Sequence, residues 1–521
     1  MTTLPLQTAE NCSPIDLYVR GEIPPALGGS LVIACNRRNK DRRFFSRWHD
    51  SQTDLIRLDL YPGRPGRVRA HILAVNPSGS DLNGGFKRSS FDRRSYGKLP
   101  AYGFATQPNH GINIAGNNLW ATNLLFGAPL EVDFTTFKPR RILRYVEPHE
   151  MAPRVSSTAH FAWSLDRRYA YFHQSLLESE KVDSPVRTAD LRLIELDVNS
   201  GSERTWSLLP PVDDDAPESA NFHSAFYFEE KGKRYVGLLK TGAIVEHIAP
   251  HVKPKDHSVI PMQPSTIWLI EVDHDKKTLQ AELLAGIREL GSLALSHLDV
   301  DASSGDGFTL YANFKQADVA EETHGENIYG ESPEQVTEHY SGMIVEALNF
   351  GLVIRYERRN GKSKIKRFSR RYDYGRTSLG HSWLPINIEL NQSKKRLFCT
   401  FNGFRPRLLS QHVAGAYKER VVNPNTARYV PPLLMRFDSV SLEPEYDRER
   451  TYLSYAEPIA MTVVGDGTRD YVCTFAPEIG LRIYAADHLN HMVGYAVSAE
   501  LMNWKDSHFR PDPAHMQFIN R

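Results

Sequence analysis

The chain lacks an excess of either charge. It carries 63 basic against 62 acidic residues, so no global field draws nucleic acid or an anionic membrane to it. It is also poor in cysteine. Cys12, Cys35, Cys399 and Cys473 stand far apart with no CxxC pair, which argues against a thiolate zinc site and against a disulfide framework. They read as reduced thiols of an intracellular, cytoplasmic protein. The opening residues Met1 to Glu10 have no basic segment followed by an apolar one, so no signal peptide is expected. No window approaches the roughly 20 apolar residues that span a bilayer. The most apolar stretch, Ser341 to Val353, is interrupted by Glu346 and Asn349. It reads as a buried strand or short helix, with a patch dipping into one leaflet as the lesser alternative. Long amphipathic helices are missing as well.

What is present is one short signal, repeated. Alternating apolar residues run into an acidic residue and then into turn chemistry. The copies are Leu55-Ile-Arg-Leu-Asp59, Pro129-Leu-Glu-Val-Asp133, Leu193-Ile-Glu-Leu-Asp197, Leu269-Ile-Glu-Val-Asp273, Val353-Ile-Arg-Tyr-Glu357, Leu434-Met-Arg-Phe-Asp438 and Arg482-Ile-Tyr-Ala-Ala-Asp487. The period of two marks half-buried strands, and the Gly, Asn, Ser and Lys that follow are hairpin residues. Successive acidic markers are 74, 64, 76, 84, 81 and 49 residues apart, room for four strands and a loop. Further strand-like runs lie between them at Tyr235–Leu239, Phe308–Phe314, Arg396–Phe401 and Asp470–Phe475. Seven such units predict an all-β chain, a seven-bladed β-propeller forming one domain over residues 1–521. A cap of loops or short helices is expected over one face. Two polar insertions, 78–98 and 316–340, are the candidates for an exposed loop and for that cap.

Twenty histidines make any single one uninformative. Their place relative to the markers is informative. His160 lies 27 residues after Asp133, His223 lies 26 after Asp197, His297 lies 24 after Asp273 and His508 lies 21 after Asp487. Side chains at one offset in four repeated units stand on equivalent strands. If those are the innermost strands, four imidazoles meet at the propeller axis and suit a borderline divalent metal such as Fe(II). His381, 24 residues after Glu357, shares the register and is a fifth candidate. His110, His173 and His515 do not share it and are expected to be structural.

The segments around these histidines resemble the carotenoid cleavage oxygenase family of apocarotenoid, stilbene and retinoid-type enzymes. Gly21-Glu-Ile-Pro-Pro-Ala-Leu-Gly-Gly-Ser-Leu31 resembles its opening GxxPxxLxGxL, and Phe45 to Leu55 its aromatic-then-FDGDGM segment. Thr158-Ala-His160 matches the T-A-H ligand motif. Phe222 to Glu229 stands where the family has HDFxxTE, Ser296-His-Leu-Asp299 for HHxN, and Ala456-Glu-Pro458 for the SEP segment. Asp506-Ser-His-Phe-Arg-Pro511 takes the place of the terminal HGxF.

The resemblance implies that His160, His223, His297 and His508 bind Fe(2+). It also implies oxidative cleavage of a carbon–carbon double bond by O2, giving two carbonyl products. The substrate would be an apolar polyene or terpenoid alkene, held in a tunnel lined with aromatics. Phe161, Trp163, Phe222, Phe226 and Trp383 are the lining candidates, and ordinary aromatic core is the competing reading for each. Peripheral membrane contact for substrate uptake is kept open. In that family glutamates orient several ligand histidines by accepting a ring N–H. Glu457 is such a residue here, whereas Asn123-Leu-Leu-Phe-Gly127 and His381-Ser-Trp-Leu-Pro385 carry no glutamate where two others are usual, and Asp299 replaces an asparagine. Stilbene-cleaving members have a lysine near Leu124, which points this chain away from phenolic stilbenes. The alternatives are a different reaction on the same iron, isomerisation or hydroxylation, or a silent propeller that binds an apolar ligand.

Overall fold

The computed structural model describes residues 9–11, 13–39, 52–75, 111–122, 127–146, 154–178, 187–214, 222–240, 266–284, 293–303, 306–316, 351–366, 382–391, 395–404, 433–442, 450–452, 460–465, 469–476, 480–499 and 509–520. These residues form β-strands and one 3-10 turn, Pro25–Leu27. The chain is all-β. Among the described residues pairing gives five sheets, of ten, nine, four, four and four strands, in which antiparallel four-stranded units follow one another along the chain.

The second unit is Gly111–Ala115, Asn118–Thr122, Leu130–Asp133 and Lys138–Ile142. In the third, a first strand broken into Arg154–Ser157 and Ala162–Trp163 is followed by Tyr169–Glu178, Arg187–Asp197 and Glu203–Leu209. The fourth is Phe222–Glu230, Lys233–Lys240, Thr266–Glu271 and Thr278–Leu283, and the fifth is Leu293–Asp301, Gly307–Gln316, Gly351–Arg359 and Lys362–Lys366. The sixth is Ser382–Asn391, Arg396–Phe404, Leu433–Asp438 and Arg450–Tyr452. The seventh is Ala460–Gly465, Asp470–Ala476, Gly480–Ala485 and His488–Val497. The first unit joins the two ends of the sequence: Phe509–Asn520 pairs with Gly29–Asn39, which continues through Gln52–Tyr61 to Arg67–Val75.

The first strands of the third to seventh units touch in order, Phe509–Asn520 links the seventh and second units, and Asn113 bonds the second unit to the third at Ala159 O and Phe161 N. The architecture is therefore a β-propeller whose innermost strands surround an axis. A hydrophobic cluster fills each seam between neighbours. Leu31 and Ile33 pack towards the seventh unit, while Val32 and Ala34 on the same strand pack towards the second. A strand buried on both faces has apolar residues at every position, which is why the innermost and second strands read as continuous apolar runs.

All seven acidic markers fall on, or two residues beyond, the third strand of a unit. Four of them cap the turn to the fourth strand. Asp133 accepts from Thr136 N at 2.7 Å, Asp197 from Asn199 N at 3.0 Å, Asp273 from Asp275 N at 2.9 Å and Asp438 from Ser441 N at 2.7 Å. A carboxylate that satisfies turn N–H groups explains why an acid recurs there.

Strand direction sorts the connections. Those between second and third strands, and those onward to the next unit, leave from the end where innermost strands begin, and include 40–51, 76–110, 241–265, 317–350, 367–381 and 405–432. Most turns at the opposite end are short, as at Lys231–Gly232 and Asn360–Gly361. By sequence the insertions at 78–98 and 316–340, candidates for the expected loop and cap, fall within the long connections. Their residues lie outside the described ones, apart from Gln316 at the end of its strand, and so does Ser341 to Val353 except for its last three. Cys35, Cys399 and Cys473 are buried and none forms a disulfide among the described residues; Cys12 lies outside them.

Side chains on the innermost strands stitch units together. Asp299 accepts from Leu390 N of the sixth unit at 2.7 Å. Glu389 accepts from Val463 N at 2.9 Å and from the Thr462 hydroxyl at 3.1 Å in the seventh. Burial pushes the Glu389 carboxyl up to about 8 from 4.5, the nearby Asp299 adding to the effect. The folded chain thus holds an extra proton between those values, and the stability present below the unfolded pKa is lost as pH rises through the folded one. Glu389→Gln keeps an oxygen for both donors and has no proton to lose. In thermal melts from pH 5 to 9 the wild type should lose stability with rising pH, at a slope approaching about 1.4 kcal/mol per unit. The Gln variant should be flatter, and parallel curves would contradict this role.

Candidate metal centre

The first strand of the third unit is interrupted where it carries His160. Arg154–Ser157 pairs with Gln174 to Leu177, and Ala162–Trp163 pairs with Ala170 and Tyr171. Between them the chain turns to the neighbouring unit. Ala159 N and His160 N both donate to the carbonyl of His223, at 2.9 and 3.2 Å, and His160 O accepts from Ala225 N at 2.9 Å. A parallel bridge between His160 and Ser224 is the result.

On the other side of this joint the Phe222–Glu230 strand bulges. Phe222 opposes Lys240 and Ser224 opposes Leu239, leaving His223 as the extra residue. A bulge re-aims a side chain out of the normal alternation. Here it brings the His223 ring to 5.0 Å from the His160 ring, at 81° between planes. The Ser224 hydroxyl lies 3.1 Å from His223 Nδ1.

His223 is buried. His160 lies deep in the protein yet keeps part of its surface accessible. Burial pushes the His160 pKa down to about 4, so its imidazole is neutral at pH 7 and has a lone pair to offer, the form a metal ligand needs. Two imidazoles edge-to-face at this separation suit a shared divalent ion. The donor chemistry fits the expected metal.

His297 lies on the innermost strand of the fifth unit, one residue past the bulged position, which Ser296 occupies there. Its backbone follows a bulge of the same kind, Leu295 opposing Phe314 and His297 opposing Asn313, on a strand that contacts the Phe222–Glu230 strand. The His297 side chain lies outside the described residues, as do His381, His508, Glu457 and Leu124. By sequence His381 and His508 directly precede the innermost strands Ser382–Asn391 and Phe509–Asn520. So does His110, directly before Gly111. The offset rule separated His110 from the others because the connection 76–110 is long. Among the described residues no three His, Cys, Asp or Glu side chains converge; the structure brings together His160 and His223.

His173 is placed differently. Fully buried, it faces the seam between the third and fourth units with its ring edge-on to Phe222 at 4.8 Å. Its Nδ1 is 2.6 Å from the Thr158 hydroxyl, which also accepts from His173 N at 3.0 Å. It therefore anchors the first residue of the Thr158-Ala-His160 turn. Sequence offset could not reveal that contact. Phe161, Phe222 and Phe226 also belong to seams: Phe161 stacks on Phe172 at 4.3 Å, Phe222 packs on Trp268 and Phe226 on Phe308. Both faces of an innermost strand look at neighbouring units, and these three residues pack there. Trp163 is partly exposed beside Trp120 and Arg167. The Trp383 side chain lies outside the described residues.

No family profile and no curated protein matches the sequence. Solved structures do match the fold. A single-site variant of the Synechocystis apocarotenoid oxygenase superposes with a TM-score of 0.54 at 12% identity, covering 98% of this chain and 96% of that one. The cobalt-substituted Synechocystis enzyme gives 0.53 at 12%, covering 100% and 98%. Pseudomonas brassicacearum lignostilbene dioxygenase gives 0.54 at 12%, covering 99% and 96%. The chain has the apocarotenoid oxygenase fold. Within that oxygenase fold the His160–His223 joint lies between two adjacent innermost strands.

Replacing His173 with alanine removes the anchor of Thr158 and opens a buried gap, so the melting temperature should fall by several degrees. The variant should still bind one divalent metal per chain, whereas His223→Ala should bind none. Metal content after dialysis separates the two, and loss of metal in His173→Ala would make that residue part of the centre.

Proposed function

We propose that this protein is a non-haem Fe(II) dioxygenase of the carotenoid cleavage type, acting on a carbon–carbon double bond of a carotenoid, apocarotenoid or related terpenoid alkene. The observation that carries the reading is the edge-to-face pair of imidazoles of His160 and His223, the first kept neutral by burial, on adjacent innermost strands of a fold shared with apocarotenoid and lignostilbene oxygenases. His297 and His508 complete the proposed ligand set, and Glu457 is proposed to orient one of the histidines by accepting its ring N–H. Fe(II), when bound, supplies the reactivity towards O2 that no side chain has. In the overall reaction both atoms of O2 end in products, one on each carbonyl carbon of the broken double bond.

The protein's part is positional. His160 and His223 would hold the ion without adding negative charge, because an imidazole binds a metal as an uncharged ligand. The stitched backbone around them fixes the ring positions, and the apolar seams on either side keep bulk water from the joint. No group in the described part of the site needs to transfer a proton. Among the described residues no helix is long and apolar enough to cross a membrane, and uptake of an apolar substrate by peripheral membrane contact forms part of the proposal.

The absence of a glutamate in Asn123-Leu-Leu-Phe-Gly127 and in His381-Ser-Trp-Leu-Pro385 favours one second reading, altered chemistry on the same iron. Protein reconstituted anaerobically with Fe(II) should hold about one metal per chain. Incubated with a panel of carotenoids and apocarotenoids under 18O2, it should yield labelled aldehydes by mass spectrometry. Isomers or hydroxylated polyenes without cleavage would establish the second reading, and metal well below one per chain would sink both.

A further inference from the structure

The peptide that carries His160 is held from both sides by units other than its own. The fourth unit supplies the His223 carbonyl and the Ala225 N–H. The second unit supplies side chains. The Asn113 carboxamide brackets His160: its Nδ2 donates to Ala159 O at 3.0 Å and its Oδ1 accepts from Phe161 N at 2.7 Å. The Thr122 hydroxyl donates a second bond to Ala159 O at 2.6 Å. Gly111, paired with Thr122, makes room for this approach. A Cβ at position 111 would lie 1.9 Å from Ala159 O and 2.2 Å from Thr122 Oγ1, distances no relaxation of a neighbouring side chain could relieve, because the nearer atom is backbone.

These contacts satisfy both lone pairs of Ala159 O and the N–H groups of residues 159, 160 and 161. Asn113 and Thr122 are themselves buried. They act with side chains because the turn at Ala159 to Phe161 has left the ladder of its own sheet. An amide that bonds residues on either side of a ligand fixes the backbone dihedrals at that ligand, and so the direction of its ring.

We propose that the hairpin of Gly111–Ala115 and Asn118–Thr122 is a positioning device for His160, with Asn113 its main element and Thr122 its second. The inference rests on the reading of His160 as a metal ligand. Asn113 and Thr122 touch no reacting group; they act through the Ala159 and Phe161 peptides. Partners that orient ligands typically change metal affinity by about 10–100-fold when lost.

The test uses Co(II) on the full chain, reading the dissociation constant, the visible d–d bands and the melting temperature of the metal-free form. Asn113→Asp keeps an acceptor for Phe161 N and sets an oxygen against Ala159 O. Thr122→Val removes one donor, and Thr122→Ser restores it. Ile114→Ala empties a neighbouring seam position of the same strand with no side-chain contact to Ala159. Asn113→Asp and Thr122→Val should weaken Co(II) binding by about 10-fold or more and shift the bands. Thr122→Ser should match the wild type. Ile114→Ala should lower the melting temperature while leaving affinity within about twofold and the bands in place. A wild type that binds no Co(II) would remove the ligand reading itself. A wild type that binds Co(II), with Asn113→Asp and Thr122→Val unchanged or Ile114→Ala equally weakened, would overturn the positioning role alone.

Discussion

One carbonyl oxygen, that of His223, accepts two N–H groups from the neighbouring unit, those of Ala159 and His160. That joint sets the relation between the two imidazoles, and it cannot form inside a single unit. It requires two innermost strands to lie edge by edge, which in turn requires the seams on either side to be filled. The third–fourth seam holds Tyr171, Phe222 and Trp268, and the second–third seam holds Trp120, Phe161 and Phe172. Pairing of Phe509–Asn520 with Gly29–Asn39 closes the ring that keeps all of them in register. The centre is a property of the closed ring.

Much of this was legible because it is local. An acidic residue that caps a turn sits beside the strand it follows, so the seven markers located the third strands directly. The runs at Tyr235–Leu239, Phe308–Phe314, Arg396–Phe401 and Asp470–Phe475 proved to be second strands. Counting forward from a marker reaches the next innermost strand wherever the connection is short, and it placed His223 and His297 on such strands and His160 in the break of one. Where the connection is long, as before His110, the count fails although the topological place is the same. The stitches were not legible at all. Asn113 meets Ala159 across 46 residues, Asp299 meets Leu390 across 91 and Val463 meets Glu389 across 74, and no periodicity in the chain encodes contacts between units.

Polar groups near the axis divide into two kinds. The histidine at position 160 is kept neutral by burial and offers a lone pair inward. The carboxyls of Asp299 and Glu389, both pushed upward by burial, each accept from a backbone N–H group of the adjacent unit. At position 299, where the sequence resemblance leads to asparagine, the carboxyl group uses both of its oxygens: Oδ2 accepts from Leu390 N and Oδ1 from Val300 N, so an asparagine would keep only one of the two bonds.

X-ray absorption at the iron edge of Fe(II)-loaded protein tests the central claim most directly, because it reads the donor atoms on the metal without needing a substrate. The account predicts a first shell with the multiple-scattering signature of about four imidazoles, one of which disappears in His160→Ala with the remainder disordered or the metal lost. A shell dominated by carboxylate oxygen or sulfur, or one unchanged when His160 is replaced, would contradict it.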